Sequence, residues 1–253
     1  MCIRDSPEDT HLKLDLEHRD PDDGMTDIAY NKGAFFLRTL EEAVSREKFD
    51  AFLKQYFDAH AFETIGTEQF AAYLTTELLE PNSVEFNLEE WIYRPGMPDN
   101  CVKVHSPRLQ KMTYIAEKVN NGENVFKKDL RGKEREDFTT QEWLAFIRGL
   151  SDEVDPKLLS EIDRHLAFST EANGGIKSEW FQLAVRNGYK SVRPHMKAHL
   201  KRIGRRWFIE GIYQSLMNSD ESDQAWANAT YAEAKNNYHF VSRTTIEDIL
   251  KGE

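Results

Sequence analysis

The stretch DPDDGMTDIAYNKGAFFLRTLEEAV, residues 20–44, decides how the first part of the chain folds. From Ile28 onward its apolar residues recur at helical intervals, at Phe35, Phe36, Leu40 and Val44. This spacing predicts a buried helix that is entered from an acidic loop. Tyr30 falls in the first turn of that helix, where a phenol can point back past the helix start and donate a hydrogen bond to an oxyanion. The plainer interpretation of Tyr30 is a half-buried helix tyrosine.

The sequence on either side of this helix predicts further short elements. Leucines alternate with polar residues over residues 10–17, which predicts a short extended strand. Apolar stripes predict helices over residues 47–61 and 68–79, the second capped by Thr67. Asn87 followed by Glu90 resembles a capping box and predicts the start of a short helix.

The sequence Pro95-Gly96-Met97-Pro98 stops that short helix, and repeated short amphipathic helices follow it. We therefore place a domain boundary within residues 95–105. Beyond it, Thr139 with Glu142 forms a capping box, and Asp155-Pro156 is a cap followed by proline at the first helical position. Further helices are predicted near residues 180–181 and over residues 192–203, 207–216, 225–234 and 244–250. Helices joined by short loops, without a convincing strand between them, predict a bundle or an α-solenoid of stacked pairs.

The composition is that of a soluble globular protein. The 253 residues include 33 basic and 44 acidic side chains, which gives a formal net charge of −11. Such an acidic chain is a poor binder of nucleic acid or anionic membranes unless its basic residues cluster, and no apolar run is long enough to span a bilayer. With only Cys2 and Cys101, the sequence excludes a disulfide framework and favours a reducing, cytoplasmic location.

Three motifs together resemble the leukotriene A(4) hydrolase and aminopeptidase family. The first is D-P-D-x(7)-Y-x-K-G-x-x-x-L over residues 20–37, and the second is NLEEWIYRPGMP over residues 87–98. The third, KSVRP at residues 190–194, falls at the place expected for that family. The resemblance covers nearly the whole chain and is strongest up to residue 98.

The resemblance implies an all-α chain in two parts. Residues 7–98 would form the helical end of a thermolysin-like catalytic domain, and residues 99–253 a helical C-terminal domain of the armadillo or HEAT-like α-solenoid type. Residues 1–6, MCIRDS, look like translated adaptor sequence, so we expect them to be a non-native tail on a fragment of a longer enzyme.

The same resemblance implies a zinc metallopeptidase that removes N-terminal residues from short peptides. In that family, the tyrosine matched by Tyr30 hydrogen-bonds the tetrahedral intermediate as zinc-bound water attacks the scissile carbonyl. Asp22 matches an aspartate that lines the substrate channel, and Lys190 a lysine that helps to hold the substrate's terminal carboxylate. Gly188 replaces an arginine often found two positions before that lysine, so a bidentate clamp would need Arg186 or Arg193 instead. Met25 stands where the leukotriene hydrolase has a second tyrosine, which favours a plain aminopeptidase.

The zinc-binding motif itself is absent from the sequence. Zinc hydrolysis needs three protein ligands and a general base, usually from HExxH, and the chain contains no HExxH. His195 and His199 have helical i, i+4 spacing but lack the glutamate, so we expect a solvated helix face there and no metal ligands in this chain. The zinc ligands would lie upstream, in the missing N-terminal part of the catalytic domain, and the chain alone would be inactive.

An alternative function follows from the basic residues within residues 190–206. They include Lys190, Arg193, Lys197, Lys201, Arg202, Arg205 and Arg206. In a free-standing helical repeat, this basic region would bind an acidic protein partner or nucleic acid. The favoured interpretation is that all of these residues except Lys190 lie on the solvated faces of two helices. The expected partner is then a peptide substrate, with no nucleic acid and no membrane.

Overall fold

The structure is a computed structural model that describes residues 9–18, 27–127, 129–130 and 137–252. The chain divides into two compact units, Met1–Val104 and His105–Glu253. Within the described ranges the regular structure is helical and contains no strand, which confirms the predicted all-α class. The described helices include none that is both long enough and apolar enough to cross a bilayer.

The strand predicted over residues 10–17 is wrong. This segment runs without regular structure along the first unit, and the backbone N–H groups of Leu12 and Lys13 both donate to one carbonyl, that of Ile92, at 3.1 and 3.0 Å. A strand needs successive partners along a neighbouring strand, and here a helical residue provides one acceptor only. Leu12 of this segment instead packs against the helical core of the first unit.

Four α-helices form the described part of the first unit. They are α1 (Ile28–Val44), α2 (Arg46–Ala59), α3 (Thr67–Leu74) and α4 (Leu88–Tyr93). A π-helical turn, Thr75–Leu79, extends α3, so together they match the predicted helix over residues 68–79. The predicted cap at Thr67 is wrong, because Gly66 occupies the N-cap position and its N–H donates to Oε1 of Gln69 at 2.9 Å. The cap of α4 is confirmed, because Asn87 accepts from the N–H of Glu90 at 3.1 Å.

Aromatic side chains fill the core of the first unit. Phe36 of α1 and Trp91 of α4 are buried with their ring centroids 5.7 Å apart, and Phe86 lies 5.8 Å from Phe36. Leu40 and Leu74 are fully buried beside them. This packing fixes α1 against α4, so the first turn of α1 has a defined position within the unit.

Eight further α-helices form the described part of the second unit. They are α5 (Pro107–Asn120), α6 (Thr140–Gly149), α7 (Pro156–Leu166), α8 (Gly174–Arg186), α9 (Arg193–Arg202), α10 (Arg206–Met217), α11 (Glu221–Ala234) and α12 (Phe240–Lys251). Both predicted caps are confirmed. Thr139 and Glu142 form a capping box at α6, and Asp155 accepts from the N–H of Lys157 at 2.8 Å at the start of α7.

Alternate helices of the second unit pack on each other. α6 contacts α8, α8 contacts α10 and α10 contacts α12, while α9 contacts α11. One continuous apolar core, which includes Trp143, Trp180 and Tyr213, runs through these contacts. A helix that packs on the second helix along the chain is typical of stacked helix pairs, as in an α-solenoid.

Candidate functional site

The exposure of Tyr30 follows from the buried ridge of α1. Five of the six buried residues of this helix recur every fourth position, at Ile28, Lys32, Phe36, Leu40 and Val44, and Thr39 is the sixth. Tyr30 lies two positions after Ile28, which turns its side chain about 200° away from the ridge. Tyr30 is 74% exposed, and within the described residues its hydroxyl has no hydrogen-bond partner. The phenol is therefore available to donate to a ligand.

Lys32 fixes the first turn of α1, and the sequence interpretation assigned it no role. Its side chain is fully buried, and Nζ donates to the carbonyl oxygens of Thr10 and Arg94 at 3.1 and 2.7 Å. Burial lowers the pKa of Lys32, and the charge of Glu90 partly opposes that change. The amine ties together the N-terminal segment, α1 and the end of α4. A lysine on an otherwise apolar i, i+4 ridge was the feature of the sequence that could have revealed this.

A second contact closes the same junction. The backbone N–H of Gly96 donates to Oγ1 of Thr10 at 2.6 Å. Gly96 has a φ of +81°, a left-handed conformation that favours glycine. The PGMP motif therefore turns the chain back onto the segment that Lys32 holds, and together they brace the base of the Tyr30 turn.

Asp22 lies outside the described residues, together with the rest of the acidic loop from Asp20 to Gly24 and with Met25. Its expected place beside Tyr30 therefore stays a prediction.

Lys190 lies in the second unit, in the 3₁₀ turn Lys190–Val192, and its amine is already engaged. Nζ donates to Oδ2 of Asp220 and to Oγ of Ser222, each at 2.9 Å. The Ser222 hydroxyl and the Lys190 amine hold the pKa of Asp220 well below its usual range. A substrate carboxylate would therefore compete with Asp220 for this lysine.

The two arginines that could replace the absent clamp residue are also paired. Arg186 donates to Oδ1 of Asp152 at 2.6 Å, and Arg193 donates to Asp223. Gly188, at the clamp position, has a φ of +65°. The second unit therefore contains no preformed bidentate carboxylate clamp at this place within its described residues.

We predicted that His195 and His199 lie on a solvated helix face, and this prediction is wrong for His199. His195 is exposed, but His199 is buried, with its ring 5.7 Å from that of Phe181 and Nε2 3.4 Å from the carbonyl oxygen of Phe208. Burial lowers the pKa of His199, and the nearby charge of Lys177 lowers it further. His199 is buried because α10 and the loop before it lie against this part of α9.

The described residues of this chain do not fit a zinc site. In the part of the chain that the structure describes, no three His, Cys, Asp or Glu side chains are grouped closely enough to hold a metal ion. Among those described residues, no carboxylate or thiolate is grouped with His195 and His199 as a third ligand. No chemical step is therefore assigned to a metal bound by these residues.

Most of the basic region within residues 190–206 is paired with acidic residues of α11. Lys197 and Lys201 both contact Glu233, at 2.6 and 3.1 Å. Lys190 and Arg193 contact Asp220 and Asp223, as described above. Arg206 lies 3.8 Å from Glu210 of its own helix. These pairs neutralise much of the charge that the sequence shows as one basic patch.

Two parts of the chain match known protein families. Residues 4–91 match the family described as "Peptidase family M1 domain". Residues 138–250 match the family described as "Leukotriene A4 hydrolase, C-terminal". The first part of the chain is thus similar to M1 peptidases, and the second to the C-terminal domain of leukotriene A4 hydrolase. The order of the two matches is that of the two structural units.

Curated proteins similar to this chain include leucine aminopeptidases. Leucine aminopeptidase 2 of Aspergillus terreus is 29% identical over 259 residues, which cover 96% of this chain and 40% of that protein. Leucine aminopeptidase 2-1 of Scheffersomyces stipitis is 27% identical, with 96% and 41% covered. The chain thus spans about two fifths of the length of these relatives.

Solved structures of leukotriene A4 hydrolase have the same fold. Yeast LTA4 hydrolase in complex with bestatin superposes with a TM-score of 0.83 at 20% identity, over 98% of this chain and 43% of that one. The native enzyme of Saccharomyces cerevisiae gives a TM-score of 0.79 at 21% identity, over 97% and 43%. The helical fold of this chain is therefore that of leukotriene A4 hydrolase.

Proposed function

We propose that this chain forms the C-terminal part of a zinc-dependent aminopeptidase that removes N-terminal residues from short peptides. The observation that supports it most is the first turn of α1. Tyr30 presents a solvent-exposed phenol, while Lys32, two residues later, is buried and bonded to two backbone carbonyls. An exposed hydroxyl donor on a turn that is fixed in this way can hydrogen-bond a reacting carbonyl in a defined geometry.

Tyr30 would act on the oxyanion. When a nucleophile adds to a peptide carbonyl, negative charge develops on its oxygen, and a positioned O–H donor stabilises that charge more than it stabilises the planar ground state. Such a donor typically lowers the barrier by about 3 kcal/mol. Asp22 would line the substrate channel beside it.

Lys190 would bind the carboxylate of the substrate only after its ion pair with Asp220 is broken. A lysine is a point charge without the fork of an arginine, so the anchor would be a weak one. Substrate selection at this end would therefore be permissive, which suits a general aminopeptidase of short peptides.

The zinc ion and the general base would come from residues outside this chain. The chain contains no HExxH, and its described residues present no group of three metal ligands. We therefore expect the chain alone to be inactive toward peptides even with zinc added.

The alternative, a helical module that binds an acidic partner through residues 190–206, has less support. Lys190, Arg193, Lys197 and Lys201 are paired with carboxylates of α11 or its cap, so an acidic partner would first have to displace Asp220, Asp223 and Glu233.

A chimaera tests the proposed function. Residues 7–253 replace the matching part of Aspergillus terreus leucine aminopeptidase 2, and hydrolysis of a leucyl-p-nitroanilide substrate is measured beside the unaltered enzyme and beside this chain alone. We expect activity in the chimaera and none in the chain alone. A chimaera that folds and binds zinc but does not hydrolyse the substrate contradicts the proposal.

A further inference from the structure

A large cavity in the second unit is lined by neither Tyr30 nor Lys190. It has a volume of about 790 Å³ and lies between the 3₁₀ turn Phe168–Thr170, α8, α9 and the start of α10. This volume is within the range of small-molecule binding sites. Neither Lys190 nor any of its carboxylate partners lines the cavity.

Basic side chains dominate the charged groups of its wall. The charged and titratable groups that line it are Glu171, Lys177, His195, His199, Arg202 and Arg205. Three of them are permanently cationic near neutral pH and one is a carboxylate, in a chain whose formal net charge is −11. The cavity thus collects positive charge in an acidic protein.

The cations of the cavity differ from their neighbours on α9. Lys197 and Lys201 are paired with Glu233, whereas no salt bridge in the described part of the chain joins Lys177, Arg202 or Arg205 to a carboxylate. Lys177 and Arg202 are close enough that the arginine, after burial, lowers the pKa of the lysine. Three cations that face a common space with one carboxylate, that of Glu171, leave a net positive charge that attracts an anion.

The start of α10 adds to this potential. Arg205 is the N-cap residue of α10, and its side chain does not cap the helix. The N-terminal end of a helix carries partial positive charge from its aligned peptide dipoles. Gly204, just before it, packs closely against the backbone of Asn237. A Cβ at Gly204 would lie only 2.5 Å from the carbonyl oxygen of Asn237. The loop that presents Arg205 is therefore fixed in place.

We propose that this cavity binds a small phosphorylated molecule, whose phosphate groups contact Lys177, Arg202 and Arg205. A phosphate carries up to two charges and several acceptor oxygens, so it uses converging cations better than a single carboxylate does. The cavity is larger than a phosphate group, and Phe208 provides an apolar wall for the organic part. This site is independent of the proposed peptidase chemistry.

Calorimetric titration of the full 253-residue chain at constant ionic strength tests the proposal. The probes are inorganic pyrophosphate, a nucleoside diphosphate and citrate. We expect saturable binding of one equivalent of the nucleoside diphosphate, weaker binding of pyrophosphate, and no saturable binding of citrate. Pyrophosphate binding as tight as that of the organic phosphate would assign the site to the free anion instead. Absence of saturable binding of either phosphate, or equal binding of citrate, overturns the proposal.

Two matched double variants separate the cavity from general charge effects. Lys177→Met with Arg202→Met removes two cavity cations, and Lys197→Met with Lys201→Met removes two paired cations from the exposed side of α9. We expect at least a tenfold loss of affinity in the first variant and less than a twofold loss in the second. Equal losses in both overturn the proposal. Arg205→Met provides a further variant at an exposed position that does not threaten folding, and we expect it to lose at least threefold.

Discussion

At the scale of single residues, α1 shows how one helical period assigns opposite roles to residues two positions apart. Ile28, Lys32 and Phe36 lie on the buried ridge, and Tyr30 lies on the far side. Lys32 is the unusual member, since burying an amine is costly unless its hydrogen bonds are satisfied. The carbonyls of Thr10 and Arg94 supply acceptors for it, so the lysine links three segments of the unit.

Replacing Lys32 by methionine should lower the free energy of unfolding by about 2 kcal/mol. Methionine preserves most of the buried volume but leaves two carbonyl oxygens without this donor, and each unsatisfied buried group costs about 1–3 kcal/mol. Urea unfolding followed by tryptophan fluorescence measures the change. The matched control is Lys54→Met, at an exposed position of α2, for which we expect a change below about 0.5 kcal/mol. Similar losses in both variants would show that the buried amine does not brace the turn.

At the scale of elements, the junction of α5 and α6 combines a cap with an ion pair. Glu142 is buried and completes the capping box with Thr139. Its carboxylate also accepts hydrogen bonds from Nε and Nη2 of Arg108, each at 2.8 Å. The Arg108 guanidinium, together with the Thr139 hydrogen bonds, lowers the pKa of Glu142 to about 2. One carboxylate therefore fixes both the start of α6 and its attachment to α5.

Glu142→Gln should destabilise the protein by about 2 kcal/mol at pH 7, because hydrogen bonds to charged groups contribute about 1.5–3 kcal/mol. The folded-state pKa lies below the unfolded value near 4.5, so the contribution is complete above that value. It is lost as the pH falls toward about 2. Thermal unfolding of the wild type and the variant across pH 2–7 should therefore show curves that converge in acid. Glu117→Gln, at an exposed position of α5, is the control, and a gap between wild type and Glu142→Gln that does not depend on pH would refute the assignment.

Gly149→Ala should also weaken the contact between α5 and α6. A Cβ at this position would lie 2.9 Å from the Cβ of Ala116, which is fully buried and cannot turn aside. Overpacking of this kind costs about 1–3 kcal/mol, which exceeds the gain of up to about 1 kcal/mol that alanine brings to a helix. We expect a lower melting temperature. Gly174→Ala, where the nearest atom is 3.6 Å away, should leave it almost unchanged. An unchanged melting temperature for Gly149→Ala would mean that the two helices separate at little cost.

At the scale of the whole molecule, most features that depend on neighbouring residues were predictable, with the cap at Thr67 as an exception, and those that depend on distant residues were not. The caps at Asn87, Thr139 and Asp155 and the order of the helices follow from local patterns, and the structure contains them. The fold class followed as well, because helical periodicity repeats along the chain.

Three of the failures have a common physical cause. The burial of His199 depends on α10, and the neutralisation of the basic region depends on carboxylates about 30 residues further along the chain. The leucines of residues 10–17 alternate as in a strand, but Leu12 packs against a helical core. In each case, tertiary contacts decide the environment, and a sequence without its partners does not show them. The role proposed for Tyr30 comes from a motif and not from periodicity, which by itself favoured a half-buried side chain.

The most direct measurement is kcat for Tyr30→Phe in the chimaera with the A. terreus aminopeptidase. The lost hydrogen bond belongs to the transition state, so kcat should fall by about 10²–10³-fold while KM changes by less than about threefold. Tyr114→Phe, another exposed tyrosine, should retain full activity. A Tyr30→Phe enzyme with the kcat of the parent chimaera would contradict the catalytic role of this residue.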